Sequence, residues 1–113
     1  MAAAPPEDFS VDVTETGDRT VVAPAGELDL ATAPQLEDAL RGPARAGGHL
    51  VIDLRRLSFM DSSGVRSLIT THGTVEQAGG RLSLVLGPPD GPVAQVLRIS
   101  GLLSVFEILE QPG

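Results

Sequence analysis

No cysteine, lysine, tryptophan or tyrosine occurs in the 113 residues, and phenylalanine occurs only at positions 9, 59 and 106. The missing cysteine excludes a disulfide framework, a thiol nucleophile and a thiolate metal site, and it makes the cytoplasm the expected location. With so few aromatics the core has to be aliphatic, drawn from Val, Leu, Ile and Ala. Arginine is the sole strongly basic residue, which alongside abundant Ala, Gly and Pro reads as GC-rich coding rather than as function. No apolar stretch approaches the ~20 residues of a membrane helix. Met1-Ala2-Ala3-Ala4-Pro5-Pro6, followed by Glu7-Asp8, lacks the basic head of a signal peptide. Residues 1–8 are expected to be a disordered leader and residues 9–110 one domain. The net charge of −7 argues against nucleic acid, whose phosphates need a basic patch, and suits a partner with a basic surface.

Hydrophobic periodicity then divides the chain. Residues 9–15 alternate, Phe9, Val11 and Val13 against Ser10, Asp12 and Thr14, which predicts a half-buried strand. Gly17-Asp18 signals a turn, and residues 20–25 return as the second arm of a hairpin. Pro24 has no N–H for a ladder, so its nitrogen is expected to face away from a partner strand or to sit at a bulge. Thr32-Ala33-Pro34-Gln35 has capping-box spacing, with proline in the first turn. The helix it opens carries Leu36, Ala39 and Leu40 on one stripe and is expected to end near Arg41, since Pro43 removes a helical donor.

Residues 49–54, with Leu50, Val51 and Ile52, predict a central, covered strand. Residues 57–60 read as a short connection. Beyond Gly64, Val65, Leu68, Ile69, His72 and Val75 fall at helical spacing, predicting a helix over 63–78 that Gly79-Gly80 stops through a left-handed C-cap. Leu82, Leu84 and Leu86 mark a fourth strand, and Pro92 starts a short helix with Val93, Val96 and Leu97 inward. Gly101 and Leu102 close that helix, and residues 105–109 are the last strand. The resulting order, β-β-α-β-α-β-α-β, predicts an α/β fold: a mixed sheet with an antiparallel N-terminal hairpin and parallel crossovers.

The change of period flanks Asp61-Ser62-Ser63-Gly64, so this cluster sits at a helix N-terminus. On the residues alone it supports two readings. Ser62 or Ser63 is an N-cap worth about 1 kcal/mol over alanine. Alternatively one serine accepts a phosphate, whose charge of about −1.5 to −2 a helix start tolerates and an acidic interface repels. A Ser/His/Asp hydrolase would pair Ser62 or Ser63 with His49 or His72, but there is no Gly-x-Ser-x-Gly elbow, and His72 fits a partly buried structural role. Asp29, Asp53 and Asp61 suit caps and loops better than a metal site, because nothing fixes a ligand geometry. Arg55-Arg56-Leu57-Ser58 has the form of a basic-directed kinase site, although solvated arginines are the simpler reading.

Leu57-Ser58-Phe59-Met60-Asp61-Ser62-Ser63-Gly64-Val65, preceded by a strand ending in Asp53-Leu54, resembles the signature of the STAS domain in its bacterial anti-sigma factor antagonist branch. Gly26-Glu27-Leu28-Asp29 and Ser100-Gly101-Leu102 match two further family blocks. The resemblance implies the STAS fold and a non-enzymatic, partner-switching role in transcription regulation. The unphosphorylated antagonist would bind an anti-sigma factor that is itself a serine kinase and release the sigma factor. Phosphorylation of Ser62, with Ser63 as the secondary candidate, would break the complex, and a PP2C-type phosphatase would restore it. Asp29, Asp61, Ser62, Ser63 and Gly64 would form the partner-binding site. ATP belongs to the kinase, so no cofactor and no metal are expected on this chain. The family commonly has a helix after the last strand; residues 110–113 leave little room for one, which would alter partner choice or leave apolar surface open to weak self-association. The alternative within the fold is a non-switching scaffold, or a subunit of a stress-signalling or lipid-transport assembly.

Overall fold

The computed structural model describes residues 9–113, and the expected leader, residues 1–8, lies outside them. The chain runs β1 (Ser10–Thr16), β2 (Arg19–Leu28), α1 (Ala33–Arg45), β3 (His49–Asp53), β4 (Leu57–Met60), α2 (Ser62–Gln77), β5 (Arg81–Val85), α3 (Pro92–Ile99) and β6 (Glu107–Leu109). One six-stranded sheet has the order β1-β2-β3-β5-β6, with β4 pairing β2 beside this path. β1 and β2 are antiparallel, and every other pair is parallel, as the helical crossovers require.

The main departure from expectation is β4. Residues 57–60 are a strand rather than a connection, too short and too irregular in polarity to show a period. Its ladder explains the length of β2, which runs to Leu28 instead of stopping at Ala25. The first part of β2, Arg19 to Val22, pairs with β3, and the last part, Gly26 to Leu28, pairs with β4. Pro24 falls between the two ladders, where that side of β2 needs no donor, and the register irregularity comes just after it, between Gly26 and Glu27.

The core is aliphatic, with Val22, Leu28, Leu36, Leu40, Leu50, Ile52, Leu54, Leu68, Leu84 and Leu97 almost wholly buried. β1 is an exposed edge rather than a half-buried strand: Phe9 and Val11 reach the core, but Val13 stays in solvent. Asp12 and Glu15 place negative charge along this edge, which disfavours pairing with another strand. α1 continues through Pro43 to Arg45 instead of ending near Arg41. The cost of the lost donor falls on the last turn alone, and burial of Leu40 and Ala44 holds that turn down. The Thr32–Gln35 capping box does not form, because the Thr32 side chain is engaged elsewhere.

α2 starts at Ser62, and its buried stripe, Gly64, Val65, Ser67, Leu68, Thr71 and Val75, is rotated from the expected one, leaving Ile69 exposed. Small side chains at positions 64 and 67 let the helix lie close, and that turns Ile69 outward. Gly79 has φ +74°, and the Gly80 amide returns to the Val75 carbonyl at 3.0 Å, closing α2 with the expected left-handed cap. Gly101 does the same for α3, the Leu102 amide reaching the Leu97 carbonyl at 2.9 Å. β6 begins at Glu107, two residues later than expected. Among the described residues no helix is long and apolar enough to cross a membrane.

Candidate functional site

The β2–β4 ladder brings two separated sequence blocks together. Leu28 is the partner of Met60, and the next amide, that of Asp61, donates to the Leu28 carbonyl at 3.2 Å. The strand ends therefore deliver Asp29 and Asp61 side by side at one edge of the domain.

Asp61 is the N-cap of α2. Its backbone is extended, and its carboxylate Oδ1 accepts the Ser63 amide at 2.8 Å. Of the two readings of the cluster, capping by Ser62 or Ser63 does not hold, since the cap is Asp61. A carboxylate at the cap adds a favourable interaction with the positive helix start. Ser62 becomes the first helical residue. It is exposed, and its hydroxyl makes no hydrogen bond among the described residues, whereas Ser63 is half-buried. One turn on, the buried Ser67 hydroxyl lies 2.6 Å from Glu37 Oε2 on α1 and 3.2 Å from the Ser63 carbonyl, which ties the two helices at this point.

Gly64 is required by contact, not by backbone conformation. A Cβ there would lie 2.6 Å from Met60 Cγ and 2.8 Å from Leu28 Cδ2, both in buried side chains. The first turn of α2 thus rests on the strand pair that positions it.

Asp29 organises the opposite loop. Its Oδ1 accepts the amides of Ala31 at 3.0 Å and Thr32 at 3.1 Å. Thr32 Oγ1 accepts the Asp29 amide at 2.9 Å and donates to the Glu27 carbonyl at 2.7 Å. Asp53 serves a third turn. Burial raises its pKa, but the hydrogen bonds from Arg55 outweigh this and hold the carboxyl below its ordinary value. Arg55 grips it through Nε at 2.9 Å and Nη2 at 2.8 Å, and Arg56 pairs with Asp12 at 2.9 Å, so neither arginine is simply solvated. Asp29, Asp53 and Asp61 are each occupied with local bonds, and among the described residues no three His, Asp or Glu side chains gather as metal ligands.

Sequence reasoning missed the apolar rim. Leu30 is 78% exposed and Phe59 45%, one in the loop after β2 and the other on β4. Phe59 is the only phenylalanine not buried, and the signal for it was the unrecognised strand: Met60 turns into the core and Phe59 outward. A groove of about 340 Å³ runs between Leu30, Ala33, Pro34 and Glu37 on one side and Ser62, Ser63 and Arg66 on the other. Neither histidine reaches this site. His72 packs edge-on against Phe106, with ring centroids 5.5 Å apart, and faces Glu76, in the partly buried structural role expected of it. His49 bonds Ser83 at 2.8 Å.

The STAS domain family model matches residues 10–111. An anti-sigma-B factor antagonist of Bacillus subtilis is 33% identical over 101 residues, covering 89% of this chain and 91% of the relative. A crystal structure of an anti-sigma factor antagonist from Mycobacterium paratuberculosis superposes with a TM-score of 0.81 at 26% identity, covering 96% of this chain and 92% of that one. The Bacillus cell fate determinant SpoIIAA, solved in its phosphorylated form, superposes with a TM-score of 0.65 at 27% identity and covers 91% of this chain and 92% of its own. The chain belongs to the STAS domain family, in its anti-sigma factor antagonist branch.

Proposed function

We propose that the protein is an anti-sigma factor antagonist whose unphosphorylated form binds an anti-sigma factor serine kinase and frees a sigma factor. The observation that carries this reading is the state of Ser62: exposed, unbonded, and set beside a helix cap that does not use it. The exposed Leu30 and Phe59 supply the apolar contact that a docked partner needs, with Asp29, Asp61, Ser63 and Gly64 shaping the loop and helix start between them.

In this reading the kinase transfers the γ-phosphoryl group of ATP to Ser62 Oγ. The new P–O bond forms as the bond to the β-phosphate oxygen breaks, ADP leaves, and the hydroxyl proton passes to a base on the kinase. The chain is the substrate and supplies no catalytic group. The phosphate adds a charge of about −1.5 to −2 at the centre of a packed surface, beside Asp61 and Glu37, and the complex separates. A PP2C-type phosphatase hydrolyses the ester and resets the cycle, which takes place in the cytoplasm.

The reading is tested by incubating the protein with a cognate anti-sigma kinase and ATP and measuring intact mass with site mapping. One phosphate on Ser62 is expected. A chain that no kinase encoded in the same genome modifies at Ser62 or Ser63 is a non-switching scaffold instead.

A further inference from the structure

Once Ser62 carries a phosphate, its surroundings supply little to neutralise it. The Ser63 amide already serves the Asp61 carboxylate at 2.8 Å. Asp61 itself is the adjacent residue, and Glu37 lines the same groove from α1, anchored at 2.6 Å to Ser67. One cation lines that groove, Arg66 on α2.

Arg66 stands four residues after Ser62 on the same helix. Residues at that spacing are neighbours on the helix surface, with Cβ atoms about 5–6 Å apart, well within the reach of an arginine side chain. It is also uncommitted. Arg19, Arg41, Arg55, Arg56, Arg81 and Arg98 each hold a carboxylate or a carbonyl oxygen, whereas Arg45 and Arg66 hold neither among the described residues, and of these two only Arg66 lines the groove. A guanidinium matches a phosphate with two parallel N–H bonds.

We infer that Arg66 is the intramolecular counter-ion of phosphorylated Ser62, holding the phosphate along the α2 wall of the groove. This deepens the proposed switch and rests on Ser62 being the acceptor. The off state then has two components: added charge, and an arginine on the groove wall held by the chain's own phosphate.

The test uses the full chain with phosphoserine placed at position 62 by genetic code expansion, so it needs no kinase. The second ionisation of the phosphate, ordinarily near pH 6, is followed by phosphorus NMR. An arginine partner stabilises the dianion, so Arg66→Gln should raise that pKa by about 0.3 unit or more, the size of an exposed i, i+4 pair. Arg66→Lys should restore most of the difference, and 1 M salt should erase it. Identical titrations for wild type and Arg66→Gln at low salt overturn the pairing. A second measurement needs no variant: the Arg66 Nε–H signal should shift and exchange more slowly in the phosphorylated chain, and an unchanged signal also overturns it. Failure of a kinase to modify Ser62 would count against the switch while leaving this pairing measurable on the phosphoserine protein.

Discussion

The amide of Asp61 donates to the carbonyl of Leu28 at 3.2 Å, and through this bond the end of β2 sets the start of α2. The cap, the serine and the Asp29 loop are consequences of one strand pair, which is why their substitutions separate into distinct outcomes.

Asp61→Ala removes the cap and should lower stability by about 1 kcal/mol. Ser62→Ala removes an unbonded, exposed hydroxyl and should stay within about 0.5 kcal/mol of wild type. Urea unfolding of the two variants side by side checks this; a larger loss for Ser62→Ala would return the capping role to the serine.

Gly64→Ala inserts a methyl group where Leu28 and Met60 already stand, 2.8 and 2.6 Å from the new atom. The expected cost is about 1–3 kcal/mol, with loss of partner binding because the helix start must lift off the strands. Chemical denaturation gives the first figure and calorimetry against the anti-sigma factor the second.

Ser62→Ala should keep the anti-sigma factor bound whether or not ATP is present. Ser62→Asp should weaken binding at least tenfold, about 1.4 kcal/mol. Equal affinities for the two variants by calorimetry would count against charge as the basis of the switch.

Leu30→Ser takes an apolar side chain off the rim and nothing out of the core, since Leu30 is 78% exposed. Affinity for the anti-sigma factor should fall at least tenfold with an unchanged melting temperature. A variant that binds as tightly as wild type would move the docking face elsewhere.

The far end of the sheet predicts a pH response. Ser83 donates to Glu107, so its oxygen accepts from His49 Nε2–H, and Arg81 grips the same carboxylate at 2.8 and 2.9 Å. The Arg81 and Ser83 hydrogen bonds bring Glu107 down to about 2. Burial, then the positive Arg81 and Arg19, hold His49 below its ordinary 6.5, against weaker pulls from Glu107 and Asp18. The folded state thus favours neutral His49. Its contribution is complete above pH 6.5 and is lost as pH falls from there through the lowered folded pKa. Urea unfolding at a series of pH values should show that slope, and His49→Gln should flatten it.

Much of this was legible in the sequence because period and punctuation agree. The alternation around Leu82 and Leu84, the glycines at 79 and 101, and the Asp61-Ser62-Ser63-Gly64 block between a strand and a helix each give one answer locally. What was not legible depends on distant partners. Residues 57–60 form a strand only because the end of β2 is there to receive them. Pro43 stays helical because Ala44 is buried against the core, a fact invisible to propensity. Ser62 and Asp61 are both good capping residues, and the choice between them follows from where β4 ends.

The pairing of β4 with the end of β2 joins residues 26–28 to residues 57–60 across the whole of α1 and β3. Asp61, Ser62 and the Asp29 loop acquire their common arrangement only after that long segment has folded between them. A nascent or damaged chain can display the serine but not the surface around it. If the proposed site is the docking face, recognition of the assembled edge is also an inspection of the fold, and a partner reading it would commit only to finished molecules.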